Sequence, residues 1–307
     1  MDLEKKDYTF DYDGENFTII TEGGIELVGC QWLPKNQIVR YVIIFFHGLG
    51  AFLSMNRTFF PKILADGGAV FGTDHLGHGR SPGDRGNNTT EHLHAELGML
   101  LQRAKAVFPN IPVFLYGHSL GGVTSISYIL THPNESNWLD GVIIEALWIA
   151  THESLSNSFI HKILARFGRY IFPTLAISTG SDPDSYPYPK KFVEKFLASN
   201  LPHDYITPQL FASAYEMQTI CKTEYKKWPI GLPLMFMQGG RDSSVGTQTN
   251  YEWIDHIRDQ VGANVHVVYH EKAEHCMLRN IEGSVVLDQV IAFVNLTLAR
   301  NPFDSVL

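Results

Sequence analysis

The chain has 307 residues, 44% hydrophobic and 18% charged, which is a globular composition and not a disordered one. Its formal net charge of −8 leaves no lysine and arginine excess for binding phosphates, so no nucleic-acid partner is expected. The cysteines, Cys30, Cys221 and Cys276, are odd in number and far apart, which points to a reducing compartment and not to a disulfide framework.

The opening stretch "MDLEKKDYTF" lacks the apolar core of a signal peptide, and a cytoplasmic location is expected. Up to about residue 35 the chain reads as antiparallel strands, most clearly in "GGIELVGCQWLP" (23–34). Strands follow at "YVIIFF" (41–46) and "AVFGTD" (69–74); the first is the longest uninterrupted apolar run and is too short to cross a bilayer. Over 89–108, Leu93, Leu97, Leu100, Leu101, Ala104, Val107 and Phe108 fall on one helical face, with Thr89 or Thr90 placed to cap the start. "VFLYG" (113–117) reads as a strand running into a helix over 119–132 that stops at Pro133, and "GVIIEA" (141–146) as the next strand.

From about 150 to 228 no strand-like run occurs, only helical patterning and turn-rich pieces such as "STGSDPDSYPYPKK" (178–191). Strands resume at "LPLMFMQG" (232–239) and "NVHVVYH" (264–270), with a helix over 250–261 ahead of Gly262. A last helix near 281–299 carries Val286, Leu287, Val290, Ile291, Val294 and Leu298 at helical spacing. Strands that are apolar throughout and alternate with helices predict an α/β fold, a mostly parallel sheet with helices on both faces. The strandless stretch predicts a helical cap inserted between two late strands: core over 1–149, cap over 150–228, core again over 229–307.

Within this frame "VFLYGHSLGG" (113–122) places Ser119 between two glycines at a strand-to-helix turn. G-x-S-x-G is a loose pattern, and its context decides its meaning. A serine hydroxyl needs a histidine to take its proton, a carboxylate to orient that histidine, and donors for the developing oxyanion. The order Ser…Asp…His is met by Asp242, just past the strand 232–239, and by His275, in the loop after the strand 264–270. All three fall at the C-terminal edge of the sheet, where open α/β sheets bind ligands. Asp255, inside a helical pattern, and His270, at a strand end, are the rivals. The backbone N–H groups of Leu49, in "FFHGLG" (45–50), and of Leu120 are the expected oxyanion donors. His47 and His118 sit beside glycines and read better as loop-packing groups than as further catalysts.

Four stretches, "HGLG" (47–50), "DHLGHGRS" (74–81), "GHSLGG" (117–122) and "GGRDSSV" (239–245), closed by His275, resemble the α/β-hydrolase superfamily. More narrowly they are similar to monoacylglycerol lipases and related lysophospholipase-like serine hydrolases. The resemblance covers about 15–298 and is weakest in the cap. It implies hydrolysis of a carboxylic ester, foremost a monoacylglycerol to glycerol and fatty acid, through an acyl-enzyme on Ser119 and without metal or cofactor. It also implies that Asp74, His78 and Arg80 hold a structural loop. Esterases, thioesterases, lysophospholipases and peptidases share such a triad, and a non-catalytic ligand receptor is the alternative outside enzymes. The partner expected is a small lipid ester.

Two further expectations concern the cap and Cys276. In "SLSNSFIHKILARFGRYIF" (154–172), Leu155, Phe159, Ile160, Ile163, Leu164 and Phe167 share one face, as in a helix packed on the core, lining an acyl channel or touching a membrane. Cys276 reads as a small buried apolar residue.

Overall fold

The computed structural model describes residues 10–152, 167–180, 190–279 and 283–300. Among them eight strands form one sheet: β1 (Glu15–Ile20), β2 (Glu26–Trp32), β3 (Tyr41–Phe46), β4 (Gly68–Thr73), β5 (Val113–His118), β6 (Gly141–Glu145), β9 (Leu234–Gly239) and β10 (Val265–His270). A separate pair, β7 (Ile177–Ser178) and β8 (Tyr205–Ile206), is antiparallel. The order across the large sheet is β1-β2-β4-β3-β5-β6-β9-β10; only the β1–β2 and β2–β4 pairings are antiparallel.

β3, β4, β5, β6 and β9 are buried because helices cover both faces, whereas β10 at the sheet's edge is part-exposed; the pleat divides the buried strands' side chains between two cores. Val42, Ile44 and Phe46 of β3 point into one core, and Tyr41, Ile43 and Phe45 into the other. The main helices are α1 (Phe60–Ala65), α2 (Thr90–Val107), α3 (Leu120–Thr131), α4 (Lys190–Ala198), α5 (Pro208–Thr223), α6 (Thr247–Asp255) and α7 (Gly283–Arg300). Leu93, Leu97, Leu100 and Leu101 of α2, Val123 and Ile126 of α3, and Leu210 and Met217 of α5 complete the first core. Phe60 and Ile63 of α1 with Val286, Val290 and Phe293 of α7 complete the second. Each such fully buried side chain contributes about 1.5–3 kcal/mol over exposure. α7 has the length and mean hydropathy of a membrane-crossing helix, 18 residues at 1.2, yet its apolar stripe lies on the sheet.

Thr89 caps α2, its side chain accepting from His92 N–H. Two expectations are corrected. The stretch 150–228 does hold strand, β7 and β8, which pair over two residues each and are too short to leave an apolar run. The helix expected over 250–261 starts at Thr247 and passes into a π-turn over His256–Gln260 before Gly262, at φ 75°, ends it. Residues 154–166 of the expected cap helix lie outside the described residues. Of its remainder, Phe167, Tyr170, Ile171 and Phe172 are exposed. The chain between β6 and β9 leaves the sheet and returns to the neighbouring parallel strand. Within that excursion, α5 packs on α2 and α3.

Candidate active site

β5 ends at His118, and the next residue turns sharply. Ser119 has φ 54° and ψ −111°, a left-handed backbone that a non-glycine residue adopts only when its surroundings hold it there. Its N–H donates to Glu145 C=O at 3.0 Å, and its C=O accepts from Val123 N–H at 3.1 Å. Glycine is needed on both sides. A Cβ on Gly117 would lie 2.7 Å from both Gly121 O and Ser125 Oγ, and one on Gly121 would lie 2.1 Å from Phe46 O. α3 thus starts hard against the end of β3, with Ser119 buried to 8% exposure at the seam.

The turn after β3 closes on this elbow. Ala51 N–H donates to Gly48 C=O at 3.2 Å, with Leu49 between them. A Cβ on Gly48 would stand 3.2 Å from Ser119 Cβ and 2.8 Å from His118 Nδ1, so Leu49 is carried beside the serine. Leu120, first residue of α3, presents one of the N–H groups that a helix cannot satisfy internally.

Asp242 and His275 meet directly: His275 Nδ1 lies 2.9 Å from Asp242 Oδ2, with the Asp242 side chain fully buried and that of His275 13% exposed. A carboxylate only accepts, so Nδ1 carries the proton and Nε2 is left as the basic nitrogen. Burial alone would push the Asp242 carboxyl up, but the charge and hydrogen bond of His275, Ser244 N–H and Gln238 Nε2 hold it down to about 2. The His275 ring centroid is 4.9 Å from that of His118, the residue before the serine, and His118 Nε2 lies 3.3 Å from His275 C=O. No hydrogen bond joins Ser119 Oγ to His275 in this geometry; such bonds commonly tighten only around substrate. The rivals go elsewhere: Asp255 pairs with Arg258 on the surface, and His270 Nε2 contacts Gln289 Oε1 of α7.

The remaining named residues hold the loop that follows β4. Asp74 Oδ1 accepts from Leu53 N–H at 2.7 Å, and Oδ2 from Arg80 N–H at 2.8 Å and Tyr12 OH at 2.5 Å. The Arg80 guanidinium lies over the Tyr12 ring, 3.9 Å from its centroid. His78 is wholly buried with Nδ1 on Leu76 C=O, and burial drives its pKa well down. His47 accepts from His75 N–H through Nε2 and stacks on the His75 ring, a packing role.

Several supporting groups were not singled out from the sequence. Burial would depress His75, but the Glu96 carboxylate 2.7 Å away outweighs it and raises it. A signal existed: Glu96 falls between Leu93, Leu97 and Leu100 on the apolar face of α2, where a carboxylate needs a partner. Glu145 accepts from Tyr116 OH at 2.6 Å and Leu278 N–H at 3.2 Å. Cys276 is buried as expected, yet in polar company: its Sγ is 2.7 Å from Arg279 Nη2 and 3.6 Å from His118 Nε2.

Residues 37–282 match the family model described as serine aminopeptidase, S33. Among curated proteins, the chain is 26% identical to the monoglyceride lipase of Rattus norvegicus over 151 residues, 48% of each chain, so this match spans about half the length of that relative. It is 22% identical to the monoacylglycerol lipase of Mycolicibacterium smegmatis over 275 residues, 89% of this chain and 94% of that one. The fold matches a soluble variant of monoglyceride lipase from Saccharomyces cerevisiae with a TM-score of 0.79 at 20% identity, covering 95% of this chain and 99% of that one. It matches a monoacylglycerol lipase from Paleococcus ferrophilus at 0.76 and 22% identity, covering 89% and 100%. With the family model spanning most of its length and the sheet order described above, the chain belongs to the serine aminopeptidase S33 family and has the α/β-hydrolase fold.

Proposed function

We propose that the protein is a serine hydrolase that cleaves the ester of a small lipid, foremost a monoacylglycerol, with Ser119 as nucleophile, His275 as base and Asp242 as its orienter. Ser119 Oγ attacks the ester carbonyl while His275 Nε2 takes its proton; the N–H groups of Leu49 and Leu120 receive the oxyanion. His275 returns the proton to the departing glycerol oxygen, leaving an acyl-enzyme, and water repeats the sequence to release the fatty acid. The observation that carries this reading is the strained backbone of Ser119 at the end of β5, at the same sheet edge as the Asp242–His275 bond.

The substrate class rests on the relatives named above and on what the chain between β6 and β9 can supply. We place a cap over 150–228, with α5 as its foot on the core. Phe167, Tyr170, Ile171, Phe172 and Leu175 are exposed there, an apolar surface suited to peripheral contact with a membrane from which lipid is drawn. Each buried CH₂ of an acyl chain adds about 0.8 kcal/mol of binding, so longer chains favour such an enzyme. The family description raises peptides as the competing substrate class.

Purified protein should be offered a chain-length series of monoacylglycerols beside aminoacyl amides, with Ser119→Ala as blank. Fatty acid released by wild type, rising with chain length and absent in the blank, is expected. Cleavage of the amides alone would move the activity to peptides, and no release from any substrate would favour the ligand-receptor alternative.

A further inference from the structure

Behind Asp242 runs a line of buried side chains that a three-residue triad does not require. Asp242 Oδ2, which accepts from His275, also accepts from Gln238 Nε2 at 3.1 Å. Gln238 Oε1 in turn accepts from Asn250 Nδ2 at 2.9 Å. Gln238, on β9, and Asn250, on α6, are wholly buried. The other carboxylate oxygen, Oδ1, is held by Ser244 and Val245 N–H at 2.9 and 3.3 Å, both from the loop.

The polarity of the line follows from what each group can do. The carboxylate only accepts, so Gln238 must turn its nitrogen to Asp242; that nitrogen also reaches Gly239 C=O at 3.2 Å. Its oxygen then faces Asn250, which must present its own nitrogen. The consequence shows at the far end, where Asn250 Oδ1 is buried with no hydrogen-bond partner among the described residues. An unpaired buried acceptor is destabilising, and natural proteins keep few of them. Turning the Gln238 amide over would set an oxygen against Oδ2, so the orphan at Asn250 is the cost of keeping an N–H on the carboxylate.

We propose that Gln238 and Asn250 are positioning residues of the active site: Asn250 fixes the Gln238 amide, and Gln238 fixes the Asp242 oxygen that aligns His275. This rests on the triad reading above. It ties that oxygen to a strand and a helix, the rigid elements flanking the loop that carries Asp242.

The test compares Gln238→Met, Asn250→Leu, their double variant and Asn250→Asp with wild type, reading the rate of Ser119 labelling by a fluorophosphonate across pH, beside Tm. Each apolar single should slow labelling about tenfold, the low end of what outer partners of a ligating side chain cost at metal sites. With one donor fewer, Asp242 is a stronger acceptor for the imidazolium, so the acidic limb of the profile should move to higher pH. The double variant should be no slower than Gln238→Met, because Asn250 acts only through Gln238. Asn250→Asp keeps the size and decides the matter even if the apolar variants do not fold. Burial favours the neutral acid there, which can donate to Gln238 Oε1 and should keep the labelling rate near wild type, whereas at alkaline pH the ionised carboxylate should draw the Gln238 N–H away and slow labelling more than Asn250→Leu does. Unchanged rates and limb in folded variants, or losses that multiply in the double, would overturn the proposal. Wild type left unlabelled would instead overturn the triad reading beneath it.

Discussion

Gly121→Ala separates packing at the elbow from ordinary helix propensity, because the two predict opposite signs. Gly121 sits in the first turn of α3 with no positive φ, and in an unstrained helix interior alanine there gains up to about 1 kcal/mol. Here the added Cβ falls 2.1 Å from Phe46 O and 2.6 Å from His47 O, both backbone atoms that cannot swing aside. Restoring a C···O separation of about 3.3 Å requires α3 and the end of β3 to part by roughly 1.2 Å. Overpacking of that kind costs about 1–3 kcal/mol, and Tm should fall by several degrees. The displaced carbonyls lie directly ahead of Gly48 and Leu49, and a misplacement of about 1 Å costs about 10²-fold in rate. Thermal unfolding and fluorophosphonate labelling read the two effects. Gly122→Ala is the control, since its Cβ meets Ile144 Cγ2 at 3.2 Å, Gly117 O at 3.4 Å and Leu147 Cδ1 at 3.6 Å, none of them the deep overlap found at Gly121. A Gly121→Ala protein as stable as wild type and labelled at the wild-type rate would refute the reasoning.

Asp242→Asn should leave the fold intact and cut ester turnover by up to ~10⁴-fold, because the amide no longer fixes the His275 tautomer; full activity would remove Asp242 from the triad. Glu96→Leu strips the buried His75 of its partner, and urea unfolding should show a loss of about 3–5 kcal/mol. A loss below 1 kcal/mol would mean the pair is unimportant to stability. His94 is buried against Ser127 Oγ at 2.8 Å, and burial first, then His132, lowers its pKa from 6.5 to about 4. The unfolded chain therefore takes up its proton first. The contribution of neutral His94 is complete above pH 6.5 and is lost as pH falls to about 4, in all about 3 kcal/mol. His94→Gln should flatten that slope in a pH series of denaturant midpoints; an unaltered slope would place the linkage elsewhere.

How far the sequence carried depended on whether a residue's role was local. β3 and β5 were legible because strands buried on both faces must be apolar at every position. Ser119 and the turn holding Asp242 were legible because each follows such a strand, and the turn holding His275 because it follows the part-exposed strand β10, whose β-branched residues still mark it. Gly117 and Gly121 were legible as a pair, although what Gly121 makes room for, the carbonyls ending β3, is a contact across more than 70 residues. β7 and β8 escaped because two-residue strands have no periodicity. Gln238 and Asn250 escaped because an amide inside an apolar strand and another in a polar helix carry no spacing rule. The Cys276–Arg279–His118 contacts escaped for the same reason: each joins chemistry that only the folded chain brings together.

The most direct test of the central claim is to react the purified protein with a fluorophosphonate, digest it and locate the adduct by mass spectrometry, in wild type and in His275→Ala. A single stoichiometric adduct on Ser119 is expected in wild type, with labelling slower by orders of magnitude in His275→Ala. An adduct on another residue, or equal labelling of the two proteins, would contradict the claim.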